Sequence, residues 1–411
     1  MRVLIVSQYF WPEGFRINDV VKSLAARGIE VDVLTGKPNY PEGRIFPGYS
    51  AFGCVNESWS GANIFRVPLS PRGKNSTFRL AINYLSFIFS GLIFGPFLLR
   101  KRKYDVVFVY GLSPILLAIP GIFIAWLKGN RLILWVQDLW PESMSATGYV
   151  KAGFFLQIIG LIVRWIYSHT DLILVQSRAF EAPIASMAPS KKIIYYPNSV
   201  DSSFAQAPSE NGNWPKIEAL EKGFSVVFAG NIGAAQSVEC IVEAASILND
   251  QDHIRFVIFG QGRKWEWMRE QIEARGLTNM HLAGRFPLEA MPGYLQKAGA
   301  LLVSLTDEQI FSLTVPNKIQ AYMASGRPII ASLNGEGARL VAEANAGIAV
   351  PAEDAQALAD AIIKLSLMPE PERQQLGENG RKYYQDHFDH DKLVEQLINY
   401  LMLDKSAKGG C

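Results

Sequence analysis

The chain is poor in the residues that mark several large protein classes. It has three cysteines in 411 residues, Cys54, Cys240 and Cys411, far apart and without metal-ligand spacing. A disulfide framework and a zinc ribbon are excluded, and so sparse a set fits a reducing cytoplasm. The five histidines are scattered and join no acidic triplet, so no metal is expected; His387 and His390 read as surface residues. Charge of one sign is also lacking. A formal net charge of +2 draws the chain to no polyanion, and nucleic acid is not an expected partner. Gly260-Gln261-Gly262 lacks the third glycine of the dinucleotide fingerprint, and so does the first strand, which disfavours a nicotinamide dehydrogenase. No secretory leader is visible, because Val3 to Val6 is too short an apolar run and reads as a buried strand. The tail from Ala407 to Cys411 reads as a disordered end or a cloning remnant.

What is present suits two domains of ordinary size. Val3-Leu4-Ile5-Val6 opens a strand, a loop runs through Gly14, and Ile17, Val20, Val21 and Leu24 follow at helical spacing to a stop at Gly28. The same strand–loop–helix start recurs at Ser225 to Gly230, followed by Asn231-Ile232-Gly233 and a helix near Ser237. A chain that begins such a unit twice is read as α/β with two facing Rossmann-like α/β/α domains, and a ligand is expected in the cleft between them. The expected domains are 1–198, with a closing C-terminal helix over about 385–404, and 199–384. Residues 36–62, rich in Gly, Pro, Asn and Tyr, read as one long functional loop.

One stretch is unusually apolar. Leu80 to Leu99 carries few polar residues and is flanked by Arg79 and by Arg100-Lys101-Arg102-Lys103. Its length would permit a membrane span. Asn83, Ser86, Ser90, Gly91, Gly95 and Pro96 interrupt it, and a span there would cut a parallel sheet in two. A non-spanning helix is therefore expected. An apolar face beside a basic cluster suits the interface of an anionic bilayer. Ile115 to Leu127 and Phe154 to Ile166 are greasy as well. The first domain is expected to meet a membrane or a lipid, and the second is not.

Ligands of open α/β sheets bind beyond the carboxyl ends of the strands. In the first domain that rule selects the loops 11–18, 110–114 and 137–142, with Arg16, Asn18, Tyr110, Ser113 and Gln137 as acceptor contacts. In the second it selects the glycines Gly230 and Gly262 and the cations Arg263, Lys264 and Lys318. Glycines, helix starts and cations on one rim suit a diphosphate, although each cation singly reads as a solvated charge. Asp138, at the mouth of an apolar strand, reads equally as a general base and as a helix cap or ion-pair partner. Glu13 is the second carboxylate candidate, or a solvated loop residue.

These residues together resemble the family 4, or group 1, glycosyltransferases of the GT-B fold. The resemblance covers nearly the whole chain. It is carried by the opening loop with Gly14 and Gly28, by Pro197-Asn198-Ser199-Val200-Asp201, by Phe228-Ala229-Gly230-Asn231, by Phe259-Gly260-Gln261-Gly262, by Tyr322 to Ala331 and by Ala346 to Pro351. Gln137 to Ser143 and Val315-Pro316-Asn317-Lys318 are similar to a subgroup that builds bacterial O-antigen and capsule polysaccharides, with N-acetyl-L-fucosaminyl transferases the nearest match. The resemblance implies a UDP-sugar donor on the second domain. Backbone near Arg285 and Phe286 would read the base. Gly230, Asn231 and Gln236, with Pro316, Asn317 and Lys318, would face the diphosphate, and Gly14 belongs to the same donor set. It implies a GlcNAc-diphospho-undecaprenol type of acceptor on the first domain, peripheral attachment to the inner face of the cytoplasmic membrane, and no cofactor or metal.

The chain also departs from the family. The usual Arg and Lys of the first donor loop fall at Asn231 and Gln236, and the usual glutamate pair falls at Leu313 and Ala321. Lys318 or Arg263 would replace the cations. Asp307, Glu308 and Gln320 are nearby candidates for the sugar contacts. Family members retain configuration without a protein base, whereas transfer from a β-L-sugar nucleotide to an α-L-glycoside would invert it and need one, Asp138 before Glu13. Two rival readings stand: a UDP-sugar 2-epimerase of the same fold, and a non-catalytic membrane-associated assembly subunit.

Overall fold

Runs such as Val3-Leu4-Ile5-Val6 and Val106 to Val109 are buried to the last residue, as strands covered on both faces must be. In the computed structural model, which describes residues 1–73, 76–142, 153–200, 204 and 214–403, they lie at the centre of an eight-stranded sheet. Its strands are β1 (Arg2–Val6), β2 (Glu30–Thr35), β3 (Val55–Trp59), β4 (Ala62–Arg66), β5 (Val106–Gly111), β6 (Arg131–Val136), β7 (Leu172–Val175) and β8 (Lys192–Tyr195). They are ordered β3-β4-β2-β1-β5-β6-β7-β8, and all are parallel except β3. The long loop expected over residues 36–62 is thus shorter, because Val55–Trp59 turns back as an antiparallel edge. Its alternating exposure and polar Asn56, Glu57 and Ser58 gave no apolar signal.

The second sheet is all parallel: β9 (Phe224–Ala229), β10 (Ile254–Phe259), β11 (Met280–Gly284), β12 (Ala300–Ser304), β13 (Ile329–Ser332) and β14 (Gly347–Val350), ordered β11-β10-β9-β12-β13-β14. The chain divides into Met1–Pro197, joined by the residues from Asp391 onward, and Asn198–His390. Two C-terminal helices serve the two units separately. Glu370–His387 stays with the second unit, where the Tyr384 hydroxyl donates to the Val200 carbonyl at 3.3 Å. His390–Met402 buries Leu393, Val394, Leu397 and Leu401 in the first unit's core, and the Tyr196 hydroxyl donates to Leu393 O at 2.9 Å. The crossing point lies a few residues later than expected. His390 is also more than a surface residue, its Nδ1 lying 2.8 Å from Ser199 Oγ. Asp201, Ser143 and the tail from Ala407 fall outside the described residues.

Three helices matter for the first unit: the amphipathic α1 (Arg16–Ala26) and the apolar α2 (Thr77–Leu98) and α3 (Ala118–Lys128). Helix α2 is the one described helix long and apolar enough to cross a membrane. Its inward stripe is built into the domain, with Gly91 against Pro120 of α3 and Gly95 against Ile124 and Leu34. Asn83, fully buried on that stripe, accepts from Gln8 Nε2 at 2.7 Å and from the Tyr9 hydroxyl at 3.1 Å, and donates to Ser70 O at 2.6 Å. The outward stripe stays in solvent: Phe78, Leu85, Phe89, Ile93 and Phe97 are exposed.

Asn83→Ala would strand a buried donor, a hydroxyl and a carbonyl at once. Each orphaned polar group costs about 1–3 kcal/mol. Urea unfolding of the variant is expected to show a loss of about 2–4 kcal/mol. A loss below about 0.5 kcal/mol would mean that this network does not hold α2 to the sheet.

Candidate active site

Each sheet reverses its strand order once, between β1 and β5 in the first unit and between β9 and β12 in the second. Crevices beyond the carboxyl ends of the strands at such points are the natural ligand sites.

In the second unit, β9 is followed at once by Gly230 and β10 by Gly260, in left-handed backbone with φ of +145° and +129°. Side chains are barred from both places. A Cβ at Gly260 would strike the Gly230 carbonyl, and one at Gly230 would meet Lys318 Cε at 2.6 Å and Nζ at 2.9 Å. Lys318 stands in the first turn of the helix Asn317–Ser325, which Pro316 caps. Its ammonium lies 3.7 Å from the centre of the Phe228 ring and has no hydrogen-bond partner. Burial without a counter-ion pushes its pKa down to about 7. A shielded cation at a helix start, against a glycine loop, is arranged for an anion.

The neighbouring candidates divide. Asn231 Nδ2 donates to Gln236 Oε1 at 3.3 Å, and the same oxygen accepts from Gly233 N at 3.2 Å, so this pair braces the loop instead of reaching out. Gly262 is pressed against the Ile232 backbone. Lys264 is spent on Glu239 at 2.5 Å, whereas Arg263 is exposed. Phe286 is held edge-on by Phe259 and Tyr294 beside the exposed Arg285. Asn317 Oδ1 accepts from Asn198 at 2.9 Å. Leu313 and Ala321 offer no acceptor side chain at the two glutamate positions. Gln320 does not replace them, because it is buried with its amide turned back to the Pro316 and Asn317 carbonyls. Asp307 accepts from Asn334 at 2.8 Å, and Glu308 is exposed.

In the first unit Glu13 has a role other than the expected one. It is 2% exposed, and its carboxylate accepts backbone N–H groups from Asn39 and Tyr40, both at 2.7 Å, and from Phe10 at 3.2 Å. Burial pushes its pKa up to about 7, against the pull of those bonds. It ties the loop after β1 to the loop after β2 and is not poised as a base. Asn18 braces the same loop, accepting from Trp11 N at 3.1 Å and donating to Glu13 O at 2.7 Å, and so is not a free contact. Gly14 is exposed, and a Cβ there would meet nothing within 4 Å, so the protein's own packing does not require glycine.

Asp138 differs from Glu13. It follows β6 and keeps part of its surface open, while burial pushes its pKa up to about 6. Tyr110 is buried against the Trp135 ring, close enough to Asp138 and Arg16 to feel both charges. Arg16 also pairs with Asp19 at 3.4 Å. Ser113 accepts from Trp140 Nε1 at 2.7 Å, clamping the loops after β5 and β6 together. Gln137 is buried with its amide nitrogen unpaired.

Phe228 and Tyr322 escaped sequence reasoning. Phe228 underlies the ammonium, and the Tyr322 hydroxyl accepts from Ala229 N at 3.1 Å, steadying the end of β9. Phe228 sits in an apolar run like any core residue, and Tyr322 belonged only to a family string. A second buried lysine, Lys37, likewise lacks a partner for its ammonium, and only its place after Gly36 marked it.

Two family models match the chain: "Glycosyl transferase 4-like domain" over residues 14–199 and "Glycosyl transferases group 1" over residues 223–367. WcaI of Escherichia coli K12, provisionally named a glycosyl transferase of colanic acid biosynthesis, is 27% identical over 97% of this chain and 99% of its own. WbjE of Pseudomonas aeruginosa, provisionally named a glycosyltransferase, is 26% identical over 74% of this chain and 76% of its own. Sucrose-phosphate synthase from Thermosynechococcus elongatus superposes with a TM-score of 0.73 at 17% identity, over 97% of this chain and 98% of that one. HepE of Anabaena, solved with UDP and glucose, gives 0.68 at 15% over 98% and 99%.

A group with a pKa near 7 changes its proton count when an anion arrives. At pH 8 most Lys318 is neutral, and a bound diphosphate will recharge it; at pH 6 it is already charged. Calorimetric titration with UDP in buffers of different ionisation heat is expected to show uptake of about one proton at pH 8 and almost none at pH 6. Lys318→Met should abolish the uptake and weaken binding by about 1.5–3 kcal/mol. Uptake unchanged in that variant would exclude Lys318 as the diphosphate cation.

Proposed function

Because the chain is a glycosyltransferase of the family 4, or group 1, kind on the GT-B fold, we propose that it moves a sugar from a UDP-linked donor to a lipid-linked acceptor in surface polysaccharide assembly. The observation that carries this reading is the buried, partnerless ammonium of Lys318 against Gly230. HepE, solved with UDP, and the Escherichia coli trehalose-6-phosphate protein, solved with UDP-2-fluoro glucose, support a UDP donor. The name of WcaI supports the polysaccharide setting. N-acetyl-L-fucosamine is the proposed sugar. Leu313 and Ala321 cannot accept the hydroxyl hydrogen bonds of a common hexose, and a deoxy sugar needs fewer. The reading needs no metal, since Lys318 and the start of its helix supply positive potential where the departing UDP gathers charge.

The acceptor side rests on two features of the first unit. Its outward face carries Phe89, Ile93 and Phe97 of α2, Trp126 of α3, and Leu161 and Trp165 of the helix Gly153–Ser168, all exposed. Arg79, Arg100, Lys101 and Lys103 border it. Such a face suits the inner surface of a cytoplasmic membrane holding an undecaprenyl-diphosphate acceptor that ends in GlcNAc. Asp138 is the proposed base. It takes the proton of the attacking acceptor hydroxyl as the bond from the anomeric carbon to the donor phosphate oxygen breaks. That makes the reaction inverting, with UDP leaving as the second product.

Incubation with a panel of UDP-sugars and a short-chain GlcNAc-diphosphate lipid should extend the lipid by one deoxy-acetamidohexose, and only with UDP-N-acetyl-L-fucosamine, as read by mass spectrometry. Absence of product with every donor, in protein that still binds UDP, would overturn the acceptor assignment. Asp138→Asn is expected to lower kcat by about 100- to 10,000-fold with little change in KM. In the parent protein kcat/KM for the donor should fall with acid below about pH 6, where Asp138 takes up a proton, and fall again above about pH 7, where Lys318 must be recharged to hold the diphosphate. Unaltered turnover in the variant would remove Asp138 from the mechanism.

Membrane seating has its own test. Vesicles of zwitterionic lipid with a fraction of phosphatidylglycerol should float the protein, and the double substitution Phe89→Glu, Ile93→Glu should weaken partitioning at least about tenfold, since each apolar side chain is worth about 1.5–3 kcal/mol on burial. Equal flotation of both proteins would place the contact elsewhere.

A further inference from the structure

A second cavity of the donor unit lies away from the glycine loops. It encloses about 170 Å³ and is lined by Lys297, Arg327, Arg373, Glu370, Phe224 and Gly299, among others. These residues stand where chain enters the strands, since β9 begins at Phe224, β12 at Ala300 and β13 at Ile329. The Lys318 loop stands at the opposite ends of those strands, roughly 20 Å away by the rise of a six-residue strand.

The cations of this cavity are unequally spent. Arg373 donates to the carbonyls of Leu365 and Ser366 at 3.2 and 3.1 Å and pairs with Glu370. Arg327 donates through Nε to Gln296 O at 2.6 Å, and no hydrogen bond to a described residue engages its two terminal nitrogens. Among the described residues Lys297 pairs only with the exposed Glu221, at 3.8 Å. Burial, with Arg373 and Arg381 close by, pulls the Arg327 pKa down despite Glu370, as befits a place short of negative charge.

We infer that this cavity is a phosphate-binding site, distinct from the donor site, in which Arg327 and Lys297 hold the phosphate group of a small phosphomonoester. A guanidinium with two free nitrogens matches two phosphate oxygens, and the ammonium neutralises the remaining charge. At ~30 Å³ per water the cavity has room for about five waters, more than a bare phosphate displaces. The site also lies at the far end of the helix that carries Lys318. Asn317–Ser325 ends in Gly326, immediately before Arg327, and Arg381 donates to the Ser325 carbonyl there at 3.0 Å.

The test uses the full chain with UDP at saturation, so that the donor loop is occupied. Inorganic phosphate and glucose 6-phosphate are titrated separately at constant ionic strength set with chloride, and binding is read by calorimetry and by the shift in Tm. Saturable binding of either, weakened at least about tenfold by Arg327→Gln, supports the site; the tighter of the two tells whether its ligand is an ester or free phosphate. Lys297→Ala, at an exposed position, gives the same reading if Arg327→Gln does not fold. No saturable binding of either probe, or equal binding by parent and variants, overturns the inference.

Discussion

A parallel sheet has to be covered on both faces, and most of this molecule follows from that requirement. Crossover connections place helices on the faces and leave the carboxyl ends of the strands as the open rim. The central strands can then be almost wholly apolar, as β5 is and as β1 is after Arg2. Polar residues are driven to the loops, and most candidates for binding or chemistry lie there or at a helix start, Tyr110 within β5 being an exception. The requirement also explains α2. A covering helix needs one apolar stripe, but α2 is apolar on both sides, and only the side bearing Asn83, Phe87 and Gly91 is used by the sheet. The surplus stripe has no task in the fold, which makes it the best indication of an apolar partner.

The framework was legible because the signals that form parallel strands are local: β-branched runs, a glycine after several helices such as Gly129, Gly276 and Gly326, one strand–loop–helix unit following another. β3 was missed for a physical reason. It is an edge strand held by one neighbour, so its composition matches the loop around it. The helix break before His390 was misplaced by a few residues because the polar stretch from Gln374 to His387 continues smoothly in composition into the next helix, while the division is set by tertiary contacts of Tyr384 and Leu393.

The candidate site was less legible than the fold. Sequence reading put Glu13, Asn18, Gln236 and Lys264 on rim loops, whereas Asn18 stands in the first turn of α1, and it could not see whether their polar atoms were free. Three backbone N–H groups hold the carboxylate of Glu13, and Glu239 holds Lys264. Such bonds depend on loop geometry that no spacing encodes. What distinguishes Lys318 and Asp138 is the opposite property: burial shifts each toward its neutral form, and among the described residues no hydrogen bond or ion pair engages the charged group.

That contrast resolves the oddity of the donor loop. Two neutral side chains, Asn231 and Gln236, stand where relatives of this fold type were expected to place cations, and a loop stripped of two charges should hold a diphosphate poorly. But the neutral pair does what charged residues could not. It closes on itself through Gln236 Oε1 and fixes Gly233, so the loop keeps its shape without a ligand. The charge is moved beneath the loop to Lys318, where Phe228 and Gly230 exclude water. An ammonium in that place attracts an arriving phosphate more strongly than a solvated one, because little water screens it, and above about pH 7 part of that attraction goes into recharging the lysine.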